Sequence, residues 1–155
     1  MSQIVYKDLD KKVIGLKDFR NNITEIYSKA INNFAYVLTG NIRTGSKTVS
    51  IISTDLLKSI LENYKFNPII NFDKATNQYE IIIEEIGANG CGDKTEDAVE
   101  MIVDNVLALT EDYFEQIELY MRIDEMKVQF PYFLRIKNCN STEELLKTLG
   151  IDNKR

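Results

Sequence analysis

Six side chains in the N-terminal part of the chain, Lys12, Lys17, Arg20, Asn21, Arg43 and Lys47, carry the chemistry of phosphate and base recognition. Lysine and arginine neutralise backbone phosphates, which supplies most non-specific affinity for nucleic acid, and arginine is the side chain best suited to reading guanine through two hydrogen bonds. Lys11 adds to the same cluster. The set is expected to form a DNA interface if the start of one helix and one hairpin loop project from related positions, because two-fold duplication would then give a broad positive stripe. An ordinary solvated surface is the plainer reading of the same charges.

Other constellations fail the tests their chemistry sets. Gly40-Asn41-Ile42-Arg43-Thr44-Gly45-Ser46-Lys47-Thr48 looks like a phosphate-binding loop, but one extra residue separates its second glycine from the lysine. It also lies between two strands and opens no helix whose amides could bind phosphate, so a hairpin loop is expected. Gly87, Gly90 and Gly92 lack dinucleotide-motif spacing and read as a flexible strand-to-helix connection. Glu84, Glu85 and Asp93 flank it and could hold a hard cation through oxygens, though a solvated rim is the simpler account.

The chain has no histidine, which removes the commonest general base near neutral pH and the commonest transition-metal ligand. Hydrolytic triads and His-based zinc sites are thereby excluded. No catalytic residue, metal or cofactor is assigned, and a non-enzymatic role is expected. Cys91 and Cys139 stand far apart without a ligand pattern, so no disulfide framework is expected. The charged N-terminus does not read as a signal peptide, and no apolar run reaches the roughly 18 to 20 residues of a membrane span. A cytoplasmic protein with reduced thiols and no membrane partner is the expectation.

The elements that must position the basic set are short. Val13-Ile14-Gly15-Leu16 fits a strand, and Phe19, Ile23, Ile26, Tyr27 and Ala30 then recur at helical spacing. Phe34 to Thr39 and Thr48 to Ile52 read as an antiparallel pair, followed by a helix capped by Ser53 or Thr54 and carrying Leu56, Leu57, Ile60, Leu61 and Tyr64. This predicts a small three-stranded antiparallel sheet with helices, one that gains by pairing with a second copy.

Lys65-Phe66-Asn67-Pro68 is the expected boundary, giving domains 1-66 and 67-155. Ile69 to Phe72 and Tyr79 to Ile86 look like a β-hairpin. A long helix from Asp93 or Thr95 follows, with an apolar stripe through Val99, Ile102, Val103, Val106, Leu109, Thr110, Tyr113, Ile117 and Tyr120. Its other face is acidic, from Glu96 to Glu118. Phe130 to Leu134 shows no readable element, and Thr142 to Leu149 predicts a short helix ended by Gly150. The class expected overall is α+β.

Charge divides at the same place. Residues 1-66 hold ten Lys/Arg against six Asp/Glu, whereas residues 67-155 hold nine against eighteen, within a net charge of −5. That asymmetry points to a nucleic-acid face in one half and a basic partner, or simple solvation, in the other.

Leu16-Lys17-Asp18-Phe19-Arg20-Asn21-Asn22-Ile23, then Tyr36-Val37-Leu38-Thr39, a glycine-containing turn and Val49-Ser50-Ile51-Ile52-Ser53 leading into a helix, is similar to the Phd/YefM (prevent-host-death) antitoxin pattern over about residues 12 to 64. The resemblance implies a dimeric α+β module that binds operator DNA to repress its own operon, with more C-terminal residues neutralising a cognate toxin, a ribonuclease or Doc-like protein. Arg20 falls at the arginine that the family uses for DNA contact early in its first helix. Two departures stand out: Gly40 replaces a frequent basic residue, a loss Arg43 could offset, and the hairpin loop is longer than usual. The second half resembles a folded extension, with a faint similarity to HicB-type antitoxin domains in its hairpin, loop and helix order. A stand-alone transcriptional regulator, whose second half senses a ligand or dimerises, is the alternative the residues leave open.

Overall fold

The structure is a computed structural model that describes residues 13–41 and 47–151. Its contacts divide the chain into two compact units, Met1–Leu57 and Lys58–Arg155, the division falling inside one helix.

In the first unit, β1 (Val13–Gly15), β2 (Val37–Gly40) and β3 (Val49–Ile51) form one sheet in that spatial order. The expectation of an antiparallel sheet needs correcting: β1 runs parallel to β2, and only β2 and β3 are antiparallel. The reason lies in the connection, since a helical crossover returns the chain to the end from which it started, whereas a hairpin reverses it. That crossover is α1 (Leu16–Asn21) and α2 (Ile23–Asn33), where a single continuous helix was expected. Asn22 interrupts it at φ −119°, ψ 21°, its N–H bonding to the carbonyls of Asp18 and Phe19 and its side-chain amide to Asp18 again.

The break changes which residues are covered. Ile26 and Ala30 are buried, one turn apart, whereas Ile23 and Tyr27 of the expected apolar face are exposed. Helix α2 ends at Phe34, a non-glycine residue in the left-handed region at φ 50°. β2 therefore begins at Val37, later than the apolar run alone indicates. Ser53 is the cap of α3 (Thr54–Leu61), its hydroxyl accepting the Leu56 N–H at 3.2 Å.

In the second unit, β4 (Ile69–Asp73), β5 (Gln78–Ile83) and β6 (Ala88–Gly92) form an antiparallel sheet in chain order. The second strand of the expected hairpin ends at Ile83, and Glu84–Ile86 form a 3₁₀ turn closed by Gly87 at φ 65°. The glycine-rich segment is consequently a strand and not a flexible connection. Its alternating residues explain the glycines: Ala88 and Gly90 are buried under α4 (Thr95–Glu115), while Asn89 and Cys91 face outward. A Cβ on Gly90 would lie 2.5 Å from the Ile102 backbone nitrogen, and one on Gly92 would lie 2.7 Å from that of Ala98. Only glycine at these two positions lets the helix backbone come this close.

Helix α4 stops at Glu115, and Ile117 and Tyr120 belong to a separate turn, α5 (Ile117–Tyr120). The chain continues through α6 (Asp124–Lys127), α7 (Phe130–Lys137) and α8 (Thr142–Leu149). The unreadable Phe130 to Leu134 segment is thus helical, with Pro131 in the first turn where its missing N–H costs no hydrogen bond. Tyr113 joins these pieces, stacking on Phe133 at 4.4 Å and donating its hydroxyl to the Met126 carbonyl at 2.8 Å. The core gathers Ile81 and Ile83 of β5, Ala98, Ile102 and Val106 of α4, and Leu145 and Leu149 of α8. Helix α8 ends as expected at Gly150, at φ 72°, and the structure adds a Ser141 cap at its start. No helix among the described residues is long and apolar enough to cross a membrane.

Candidate functional site

Strand register determines where the basic residues go. Gly15 pairs with Gly40, and Thr39 pairs with Val49, so β1 and β2 finish at the end of the sheet where β3 begins. Helix α1 starts directly after Gly15, and Lys47 lies just before β3. Topology therefore starts α1, which carries Lys17, Arg20 and Asn21, at the end of the sheet where Lys47 precedes β3. All four are exposed, and none of the three cations forms an ion pair among the described residues. Lys12 and Arg43 lie outside the described residues.

The same end of the sheet is closely packed. Thr39, buried, donates its hydroxyl to the Ile14 carbonyl at 3.0 Å, fastening β2 to β1. A Cβ on Gly40 would come within 3.3 Å of the Thr48 methyl, so a side chain there would need Thr48 to give way slightly. The false phosphate loop joins two antiparallel strands, and no helix follows it directly.

The sequence reading missed a strip of exposed apolar residues in this unit. Ile23, Tyr27 and Ile31 repeat every four residues along α2 and stand 54%, 65% and 45% exposed, and Phe34, Tyr36 and Val49 are likewise exposed. Ile23, Tyr27 and Ile31 belong to the same apolar face of α2 as Ile26 and Ala30, and the sequence showed that face but not that the unit covers only part of it.

In the second unit the acidic residues of α4 are exposed as expected. The candidate cation ligands are committed separately: Glu85 accepts the Asn67 backbone and side-chain N–H groups, and Asp93 accepts from Gln78 at 3.2 Å. No cluster of three metal-ligating side chains occurs among the described residues. A small cavity of about 130 Å³ is lined by Lys58, Glu144 and Cys139, where Lys58 and Glu144 pair at 2.9 Å. Burial pushes the Cys139 thiol up from its ordinary pKa, which favours its protonated form. Cys91 and Cys139 are both free.

Comparison with known proteins agrees with this architecture. A crystal structure of an antitoxin part of a proposed toxin/antitoxin system from Syntrophomonas wolfei subsp. wolfei superposes with a TM-score of 0.75 at 14% identity, covering 89% of this chain and 96% of that one. At that identity the likeness is one of fold. No curated protein matches the sequence. The family model described as antitoxin of toxin-antitoxin, RelE/RelB, TA system matches residues 11–151, which takes in both units and extends well past the stretch that carried the resemblance. Since the match spans nearly the whole chain, this protein belongs to that PHD-like antitoxin family of toxin–antitoxin systems.

Proposed function

We propose that this antitoxin acts as a homodimer of the Phd/YefM type that binds operator DNA to repress its own operon, and that its acidic second half neutralises a cognate toxin, a ribonuclease or Doc-like protein. The observation that carries the DNA reading is that α1, bearing the exposed Lys17, Arg20 and Asn21, starts at the end of the β1-β2-β3 sheet where the exposed Lys47 precedes β3, with none of these cations in an ion pair among the described residues. Free cations at a shared edge bind phosphate without first breaking an ion pair. Dimerisation is supported by the exposed strip on α2, which supplies an apolar surface that one unit alone leaves in water. A homodimer doubles the basic set about a two-fold axis.

Fluorescence anisotropy on a DNA fragment from upstream of the operon tests the reading. Arg20→Ala is expected to weaken binding about tenfold and to lower the dependence of affinity on salt. Unchanged affinity at several salt concentrations would remove Arg20 from the interface. Co-purification with the protein encoded by the adjacent gene tests the neutralising half.

A further inference from the structure

Within the second unit, α4, α8 and β4 border an open groove of about 510 Å³, within the roughly 300 to 1,000 Å³ of clefts that hold ligands. Its apolar lining includes Val99 and Val103 of α4, Leu146 of α8 and Ile70 of β4, half-buried or buried against the core. Its edge is different in kind. Glu96, Glu100 and Asp104 line the same groove, are exposed, and form no ion pair among the described residues.

Spacing and charge choose the occupant. The three carboxylates repeat every four residues, so each lies about 6 Å further along α4 and together they extend over about 12 Å. A small ligand would meet one of them. A helix with lysine or arginine at its own four-residue spacing meets all three, while its apolar side covers the valines and Leu146. A second copy of this unit fits poorly, because residues 58-155 carry eleven cations against nineteen carboxylates and would repel themselves across such a face.

We infer that the α4–α8 groove receives a cationic amphipathic helix of the cognate toxin, apolar side on Val99, Val103 and Leu146 and basic side chains on Glu96, Glu100 and Asp104. This rests on the neutralising role proposed above and names the surface that performs it. The pairing is electrostatic at the rim and apolar at the centre, so it acts on both the association rate and the residence time.

The test measures affinity between the full-length chain and the protein encoded by the adjacent gene, at several salt concentrations. Two variants are compared with the unaltered chain: Glu100→Lys with Asp104→Lys, and Val99→Gln. Each should weaken binding about tenfold or more, and only the charge-reversed pair should flatten the salt dependence. Unfolding midpoints check that both variants fold, with Glu100→Gln and Asp104→Asn as the milder replacement if the reversal does not. Undiminished binding by the variants overturns the groove and leaves neutralisation standing. No binding by the unaltered chain removes neutralisation, and the groove with it. If the variants change the self-association state seen by light scattering, the occupant is a second copy and the inference falls.

Discussion

Glycine at 90 shows how much one residue can decide. With nothing attached to its Cα, Gly90 lets β6 and α4 meet backbone to backbone, and a methyl group there would fall 2.5 Å from the Ile102 nitrogen and 2.9 Å from the Ala98 oxygen. Because neither neighbour is a flexible side chain, Gly90→Ala is expected to cost about 3 kcal/mol. Gly87 provides the contrast: its φ is positive but nothing lies within 4 Å of an added Cβ, so Gly87→Ala should cost only about 1 kcal/mol. Urea unfolding of the two variants distinguishes close approach from turn geometry, and equal midpoints would refute the packing argument. Glu144 gives a second prediction. The Asn140 N–H and then Lys58 hold its carboxyl below the usual carboxylate range, so the folded chain favours the charged form. Its stabilisation is complete above the unfolded pKa and is lost as pH falls through the lowered folded value. Glu144→Gln should therefore shallow the acid limb of the stability curve; an acid limb of unaltered slope would remove Glu144 as its source.

Elements in this chain are set by where helices stop as much as by where they start. Asn22 splits the first crossover helix, and Gln116 separates α4 from α5. Neither break has a proline or glycine to announce it, so the periodic apolar pattern runs straight through both in sequence. Helix α8 is the opposite case, since a serine cap and a left-handed glycine sit at its two ends, and its bounds and its glycine stop were readable from the sequence. Helix α4 owes its hold on the short helices after it to Tyr113, which is buried among Phe133, Tyr120 and Phe114 and hydrogen-bonded to the backbone of α6. Tyr113→Phe keeps the ring and loses the donor, so a loss of about 1 kcal/mol in unfolding free energy is expected, with faster amide exchange around Met126. Full stability in that variant would show that the stacking alone holds α6 in place.

At the scale of the whole molecule the two units differ in how much of their apolar surface they cover. The second closes an extensive core, whereas the first leaves Ile23, Tyr27, Phe34 and Tyr36 in water. In the proposed dimer that strip is the interface. Tyr27→Glu is then expected to turn a dimer into a monomer at micromolar concentration in sedimentation velocity, and to weaken operator binding in parallel, because one copy presents only half of the basic set. A variant that sediments as the unaltered chain does would place the interface elsewhere. The family match over residues 11–151 gives both units a place in one antitoxin, although the residues that first carried the resemblance end near Tyr64.

The α+β class, the acidic face of α4, the capped helix α8 and the opposite charges of the two halves were legible from the sequence, because each depends on local periodicity, capping chemistry or simple counting. The candidate basic set was legible as residue types. Tertiary structure decided that α1, which carries Lys17, Arg20 and Asn21, starts at the end of the sheet where Lys47 precedes β3, since that follows from the parallel pairing of β1 with β2, which no local pattern encodes. It also turned the glycine-rich connection into a strand. Glycine disfavours strands by its own propensity, and only the approach of α4, a segment further along the chain, gives those glycines their reason. The groove between α4 and α8 is of the same kind, bordered by residues from Ile70 to Ile151 that only folding brings together.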